Sequence, residues 1–240
     1  MEKLGPGSDA DTLHVLAMIP RDTFSLVVDA GSGIGRQTLA LANRLQTKVH
    51  AIDTAAKHLD SLTRYSAQLG IAHLVHTHCM DMAEIPAIFR DVDLLWSECA
   101  AYHIGFPTAL ATWRDAIRPG GYAVVSELSW LRDEVPEHVR AYFRSGYPDM
   151  RTVDENLSIA RSAGYDVIAT HLLSKAAWVD GYYDKLEPIA QSLLQHPEKA
   201  VRTFAAQTLE GIQIFDSADD NYGYVFYVLR KLEGDAAVDA

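Results

Sequence analysis

Leu26-Val27-Val28-Asp29-Ala30-Gly31-Ser32-Gly33-Ile34-Gly35-Arg36-Gln37-Thr38-Leu39-Ala40-Leu41-Ala42 is the stretch that decides the fold. Its β-branched opening reads as a short buried strand. Three alternating glycines end the strand, and residues 38–45 have the composition of a helix packed on a sheet. Strand, glycine turn and helix form the α/β device for holding a nucleotide. Glycines admit backbone close to a ligand, and the helix start offers unpaired N–H groups. A dinucleotide fingerprint would read G-x-G-x-x-G. Here Arg36 stands where its last glycine belongs. Asp29, at the strand end, would repel a pyrophosphate but suits a ligand with an ammonium or sulfonium group. Asp29, Gly31, Ser32, Gly33 and Gly35 are therefore the first candidates for holding a cofactor.

Outward from this turn the chain alternates strands and helices. Residues 48–53 read as a second strand that ends on Asp53. An acid about twenty residues past the glycine turn can accept the hydrogens of both ribose hydroxyls, and Thr54 joins it in the same candidate group. Capping the next helix, residues 55–69 with Gly70 as its stop, is the other reading of Asp53. Residues 73–79 hold a third strand. His76 and His78 share one of its faces and Cys79 takes the other, which makes a His/His/Cys metal site poor, so no metal is expected. Residues 92–98 form the fourth strand, continuing into Glu98-Cys99-Ala100-Ala101-Tyr102-His103-Ile104-Gly105. Ligands of doubly wound sheets bind beyond the C-terminal ends of the strands. Glu98, Tyr102 and His103 are thus expected to face the reacting group. After a helix over 108–117, Arg118-Pro119-Gly120-Gly121 supplies a proline-set turn into the fifth strand. That strand, 122–127, carries Glu127 to the same edge.

The remaining pieces complete the sheet and cover it. Asp9 or Asp11 can cap a helix reaching about Ile19. Pro136 can start a short helix, and another spans 153–163. Residues 165–173 read as the sixth strand and 222–231 as the closing one. Helical stretches over 188–194 and 198–215 lie between them. Residues 1–8 look loosely structured, and 233–240 read as a frayed tail. The expectation is α/β: a Rossmann-like, seven-stranded, mostly parallel sheet with helices on both faces and a helical cap. One domain over 1–240 is expected, with cap segments at about 1–19, 128–160 and 174–221.

Composition narrows the function classes. The chain has 240 residues, is 48% hydrophobic and carries a formal net charge of −11. That suffices for one well-filled core. The acidic balance argues against sequence-independent binding of nucleic acid, which needs cations to neutralise phosphates. Two cysteines, Cys79 and Cys99, build no disulfide framework, so a reduced cytoplasmic setting is expected. No apolar run reaches membrane-spanning length, and residues 1–11 lack the apolar core of a signal peptide.

Asp29-x-Gly31-x-Gly33-x-Gly35 resembles the first motif of class I S-adenosylmethionine (SAM)-dependent methyltransferases. Gly5-Pro6-Gly7-Ser8 with Asp11-Thr12-Leu13, Gly35-Arg36-Gln37-Thr38, Glu98-Cys99-Ala100-Ala101-Tyr102, Ser126-Glu127-Leu128-Ser129-Trp130 and Trp178-Val179-Asp180-Gly181-Tyr182-Tyr183 extend the likeness over nearly the whole chain. Together they resemble a bacterial small-molecule subgroup of the methyltransferase-domain-25/11 type. The resemblance implies SAM as cofactor, with Asp53 on its ribose. It implies that Asp81 bonds the adenine amino group and that Met82 packs on the ring. A turn-capping aspartate is the other reading of Asp81. It also implies an N-terminal helix that covers the cofactor. The Asn/Asp-Pro-Pro-Tyr tetrad of many adenine, cytosine and glutamine methyltransferases is absent at Glu98–Ala101, which counts against those substrates.

Methyl transfer from a sulfonium is an in-line displacement, in which the protein supplies alignment and excludes water. A basic nucleophile must also lose a proton, and His103, then Glu98, are the candidate acceptors. Glu98 can alternatively hold the SAM amino group. Glu127, Tyr102, His103, Trp130, Trp178, Tyr182 and Tyr183 are the expected substrate wall, because carboxylates among aromatic faces suit a cationic or amine-bearing ligand. The expected partner is a small molecule with an amine or hydroxyl nucleophile, without nucleic acid or membrane; a homodimer stays open. A nicotinamide-dependent oxidoreductase, a non-catalytic SAM-binding protein and an RNA methyltransferase are the rival readings.

Overall fold

The computed structural model describes residues 5–218 and 220–233. The expected behaviour of residues 1–4 and 234–240 lies outside them. Eight strands are present: β1 (Val27–Ala30), β2 (Val49–Asp53), β3 (Val75–Cys79), β4 (Val92–Ser97), β5 (Ile117–Trp130), β6 (Arg151–Thr152), β7 (Tyr165–Leu172) and β8 (Tyr222–Lys231). The main sheet runs β3-β2-β1-β4-β5-β8-β7, with the two-residue β6 pairing parallel to the end of β5. β1 to β5 pair in parallel, while β8 lies antiparallel between β5 and β7. The expected seven strands thus form the main path, and β6 adds an eighth.

Period-2 alternation builds a core on each face of the sheet. Val27, Val49, Leu94, Trp96, Val124 and Val228 point into one core; Val28, Ile52, Leu95, Val125, Tyr227 and Leu229 point into the other. β1 and β4 are buried at every position, which is why they read as continuous apolar runs rather than alternating ones.

Helices cover both faces: α1 (Asp9–Leu16), α2 (Arg36–Leu45), α3 (Ala56–Gln68), α4 (Ile85–Ile88), α5 (Phe106–Arg114), α6 (Glu137–Gly146), α7 (Val153–Ser162), α8 (Lys175–Trp178), α9 (Asp184–Leu193) and α10 (Lys199–Ser217). Two expectations about α1 are corrected. Its N-cap is Ser8, in a capping box with Asp11, rather than Asp9 or Asp11. It also stops at Leu16 rather than near Ile19. The fifth strand begins at Ile117, five residues early, because Arg118-Pro119-Gly120-Gly121 is absorbed as an irregularity in its register with β4. Between α8 and α9 the chain kinks at Asp180 and Gly181, where Gly181 takes φ +82°.

Candidate functional site

β1 through α2 are laid out by their glycines. Gly31, Gly33 and Gly35 all have positive φ. A Cβ on Gly31 would lie 2.3 Å from the Ala100 Cβ, and one on Gly35 would lie 2.2 Å from Leu62. Only glycine fits at either place. The turn is tied to β2: Gly31 and Ser32 donate N–H groups to the Ile52 carbonyl, and Gly33 donates to Asp53 Oδ2 at 2.8 Å. Ala55 N–H donates to Asp53 Oδ1 at 2.8 Å. The Asp53 carboxylate is thereby fixed in orientation, with its remaining lone pairs free for a ligand.

These elements open onto a cleft of about 530 Å³ at the C-terminal edge of the sheet. It brings together Gly31, Ser32, Gly33, Gly35, Asp53, Thr54, Asp81, Met82, Glu98, Tyr102 and His103, from four separate stretches of sequence. Asp81 accepts from Ala83 N–H at 2.8 Å, so it caps a turn and lines the cleft at once. Met82 is anchored through its carbonyl, which accepts from Trp113 Nε1. Tyr102 and His103 stand on a short helical turn, their rings 4.1 Å apart, and both are exposed. Cys99, just before this turn, holds φ +52°, an uncommon conformation for a non-glycine residue. Its N–H donates to Ser126 Oγ at 2.8 Å, which ties the β4 exit to β5.

Asp29 does not line the cleft, contrary to expectation. It is fully buried beneath the turn, where Thr38 Oγ1 and Gln37 Nε2 donate to it. Burial first, then the nearby negative charges of Glu98 and Asp53, push its pKa up to about 7 against hydrogen bonds that lower it. The residue braces the glycine turn from inside. Glu98 does line the cleft, yet both its oxygens are engaged. Oε1 accepts from Thr12 Oγ1 at 2.7 Å and Trp96 Nε1 at 2.9 Å, and Oε2 faces Arg36 Nη2 at 3.4 Å. Arg36 also pairs with Asp9. One buried cluster therefore clasps α1, α2 and the end of β4 together.

The expected aromatic wall is largely corrected too. Trp130, Trp178, Tyr182, Tyr183 and Glu127 are not in the cleft lining. Trp130 donates Nε1–H to the Met150 carbonyl and packs edge-on against Phe143. Trp178 stacks on Phe215 and Tyr224, and Tyr183 packs against both Trp178 and Phe215. Most of these rings fill the core of the cap, because indole and phenol faces are the largest apolar surfaces available there. Glu127 stands behind the wall, with Tyr147 donating to its Oε1. Lining residues that sequence reasoning did not assign include Arg36, His58 and Cys99. Arg36 had a signal, its place in the glycine motif; His58 had none, sitting one helical turn past Asp53 at 3.4 Å. The histidines of β2 and β3 come together on the sheet. His50, His76 and His78 stack on one face, with His50 Nδ1 and His78 Nε2 2.9 Å apart, and among the described residues no His/Cys/Asp/Glu group could hold a metal ion.

Comparison with known proteins fits this geometry. Residues 27–121 match the family described as "Methyltransferase domain". A malonyl-[acyl-carrier protein] O-methyltransferase of Marinomonas sp. (strain MWYL1) is 29% identical over 180 residues, covering 70% of this chain and 62% of that protein. A dimethylglycine N-methyltransferase of Parasynechococcus marenigrum (strain WH8102) is 30% identical over 129 residues, covering 52% of this chain and 46% of that protein. The chain thus spans less than two thirds of either relative. Among solved structures, a SAM-dependent methyltransferase from Thiobacillus denitrificans in complex with S-adenosyl-L-homocysteine superposes with a TM-score of 0.78 at 20% identity, over 95% of this chain and 93% of that one. That likeness is one of fold. Residues 27–121 thus match a methyltransferase domain, and the chain shares the fold of SAM-dependent methyltransferases.

Proposed function

We propose that this protein transfers a methyl group from SAM to an amine or hydroxyl of a small metabolite. The observation that carries the proposal is the convergence of the glycine turn, Asp53, Asp81 and Met82 with Tyr102 and His103 on one cleft. The cleft fits the cofactor on its own terms. The Gly31 backbone lines the cleft with no space for a Cβ beside Ala100, and among the described residues Ser32 Oγ is buried without a hydrogen-bond partner. Asp53 would take the ribose hydroxyls, Asp81 the adenine amino group, and Met82 the ring. SAM supplies a methyl group on a good leaving group. The chain contributes alignment, for which holding two reactants in register is worth roughly 7–11 kcal/mol of barrier.

Among the side chains facing the cleft, His103 is the proton acceptor we favour. It lines the cleft with its ring against that of Tyr102, which puts its imidazole within reach of a bound acceptor. Glu98 is a positioning residue, because its oxygens already hold Thr12, Trp96 and Arg36. Support for methyl transfer comes from both curated relatives; their names differ in acceptor, one an O- and the other an N-methyltransferase. The net charge of −11 favours a small acceptor over nucleic acid.

Calorimetric titration with SAM, S-adenosylhomocysteine and NAD tests the cofactor. Heat with the adenosyl ligands and none with NAD is expected, and the converse overturns the reading. Incubation with methyl-labelled SAM and a metabolite extract tests the acceptor. Label is expected in small molecules; label confined to protein or RNA rejects that class. Turnover should fall about 10²-fold or more in His103→Ala with cofactor affinity intact. A loss of affinity at unchanged turnover would refute the role of His103.

A further inference from the structure

Glu127 is a buried acid that the cofactor cleft does not use. It is 2% exposed, and its Oε2 has no hydrogen-bond partner. No Lys, Arg or His nitrogen lies within ion-pair distance of it among the described residues; Arg151 attracts it from farther away. A buried carboxylate oxygen left without a partner is costly, so such an atom marks a place where a cation or a proton completes the structure. Its position adds direction. Glu127 lies two residues past Val125, where β5 stops pairing with β4, and its neighbour Ser126 holds Cys99 at the cleft wall. Tyr147 donates to Oε1, and the Tyr147 ring lies 6.2 Å from that of Tyr102, a cleft residue. Tyr102, Tyr182 and Tyr224 all feel the Cys99 side, and Tyr102 and Tyr224 also feel the Glu127 charge. Phenol rings thus stand between the cleft and a buried acid that has one oxygen unpartnered.

From this arrangement, and resting on the methyl-transfer reading above, we infer that Glu127 with Tyr147 forms the acceptor subsite and receives the ammonium group of an amine substrate past Tyr102; for an amine the proton acceptor is then Glu127, and His103 is left to serve a hydroxyl nucleophile. The ammonium gives its proton to Glu127 Oε2, leaving glutamic acid and a neutral amine. The amine lone pair forms the N–C bond to the methyl carbon while the C–S bond breaks, its electron pair staying on sulfur as a thioether. The proton then passes to solvent, and the carboxylate is restored. Aromatic faces around the path suit the cation before it gives up its proton. Burial, opposed by the Tyr147 hydrogen bond and Arg151, pushes the Glu127 pKa up to about 7, which matches a proton acceptor to neutral solution.

The test uses the full chain, methyl-labelled SAM and three libraries: primary and secondary amines, alcohols, and carboxylic acids. Product is expected from the amines. Glu127→Gln, which keeps shape and removes a buried charge, should lower kcat/KM for the amine turned over by 10²-fold or more and abolish its rise through about pH 7. Tyr147→Phe should lower it less. Binding of that amine to protein saturated with S-adenosylhomocysteine should weaken at least tenfold in Glu127→Gln, while S-adenosylhomocysteine affinity stays within twofold. Transfer only to alcohols or acids, transfer to no amine by protein that binds S-adenosylhomocysteine, or a Glu127→Gln variant equal to wild type overturns the inference. Failure to bind S-adenosylhomocysteine would instead overturn the cofactor reading.

Discussion

At the scale of single residues, two side chains separate holding from chemistry. Asp53 has both oxygens fixed by main-chain donors from Gly33 and Ala55, so it meets a ligand without reorganising. Asp53→Ala should weaken SAM binding about tenfold or more, since a hydrogen bond to a charged group is worth about 1.5–3 kcal/mol; unchanged heat and affinity in calorimetry would refute the assignment. Gly31→Ala places a methyl 2.3 Å from Ala100 Cβ at φ +73°. It should cost stability by about 1–3 kcal/mol and cofactor affinity besides, both readable in denaturant melts with and without S-adenosylhomocysteine. Glycines and the acid of β2 were legible because their spacing is local and their chemistry singular. Asp29 was legible as a residue but not as a role. Its partners Gln37 and Thr38 lie on the first turns of α2, where only the folded turn shows that they take up the carboxylate before any ligand can.

At the scale of elements, the strands that carry the site were readable because each is a short apolar run ended by an acid or a turn. The cap was readable only as a helical region. Trp178, Tyr183, Phe215 and Tyr222 come from three separate segments and meet in one cluster, and no spacing rule distinguishes rings that pack on each other from rings that surround a ligand. The α1 attachment was also hidden, since Asp9, Thr12, Arg36 and Glu98 join across up to 86 residues of sequence. Removing the cation there takes Arg36 away from Glu98, whose side chain is 2% exposed. Breaking a buried pair on one side typically costs about 3–5 kcal/mol. Arg36→Gln should therefore lower the unfolding free energy by about 3 kcal/mol and loosen α1, seen as faster amide exchange over Asp9–Leu16. Unchanged stability would show that the remaining partners of Glu98 satisfy it.

At the scale of the whole molecule, two buried acids couple folding to pH. Asp29 and Glu127 both titrate near pH 7 in the folded chain, against ordinary values of 3.8 and 4.5. The folded form therefore keeps protons that the unfolded chain has already released. Stability from these groups is full below about pH 4 and declines as pH rises toward 7. For Glu127 alone, the shift corresponds to something on the order of 3 kcal/mol. Glu127→Gln should flatten the decline between pH 4.5 and 7 and melt higher than wild type at pH 8; a parallel pair of melting curves would show that Glu127 ionises normally. The parallel β1–β5 arrangement was foreseeable from alternating strands and helices. The antiparallel seat of β8 between β5 and β7 was not, because the pairing partner of a last strand is set by which edge the intervening helices leave open.

The clasp at α1 has a wet side and a dry side. Asp9 is 65% exposed, whereas Arg36 and Glu98 are nearly sealed. Dissolved ions weaken attraction in water far more than attraction in a protein interior. Salt should then work on the latch and spare the bolt behind it: α1 would exchange its amides faster as ionic strength climbs, while the inner pair of Arg36 and Glu98 would hardly respond.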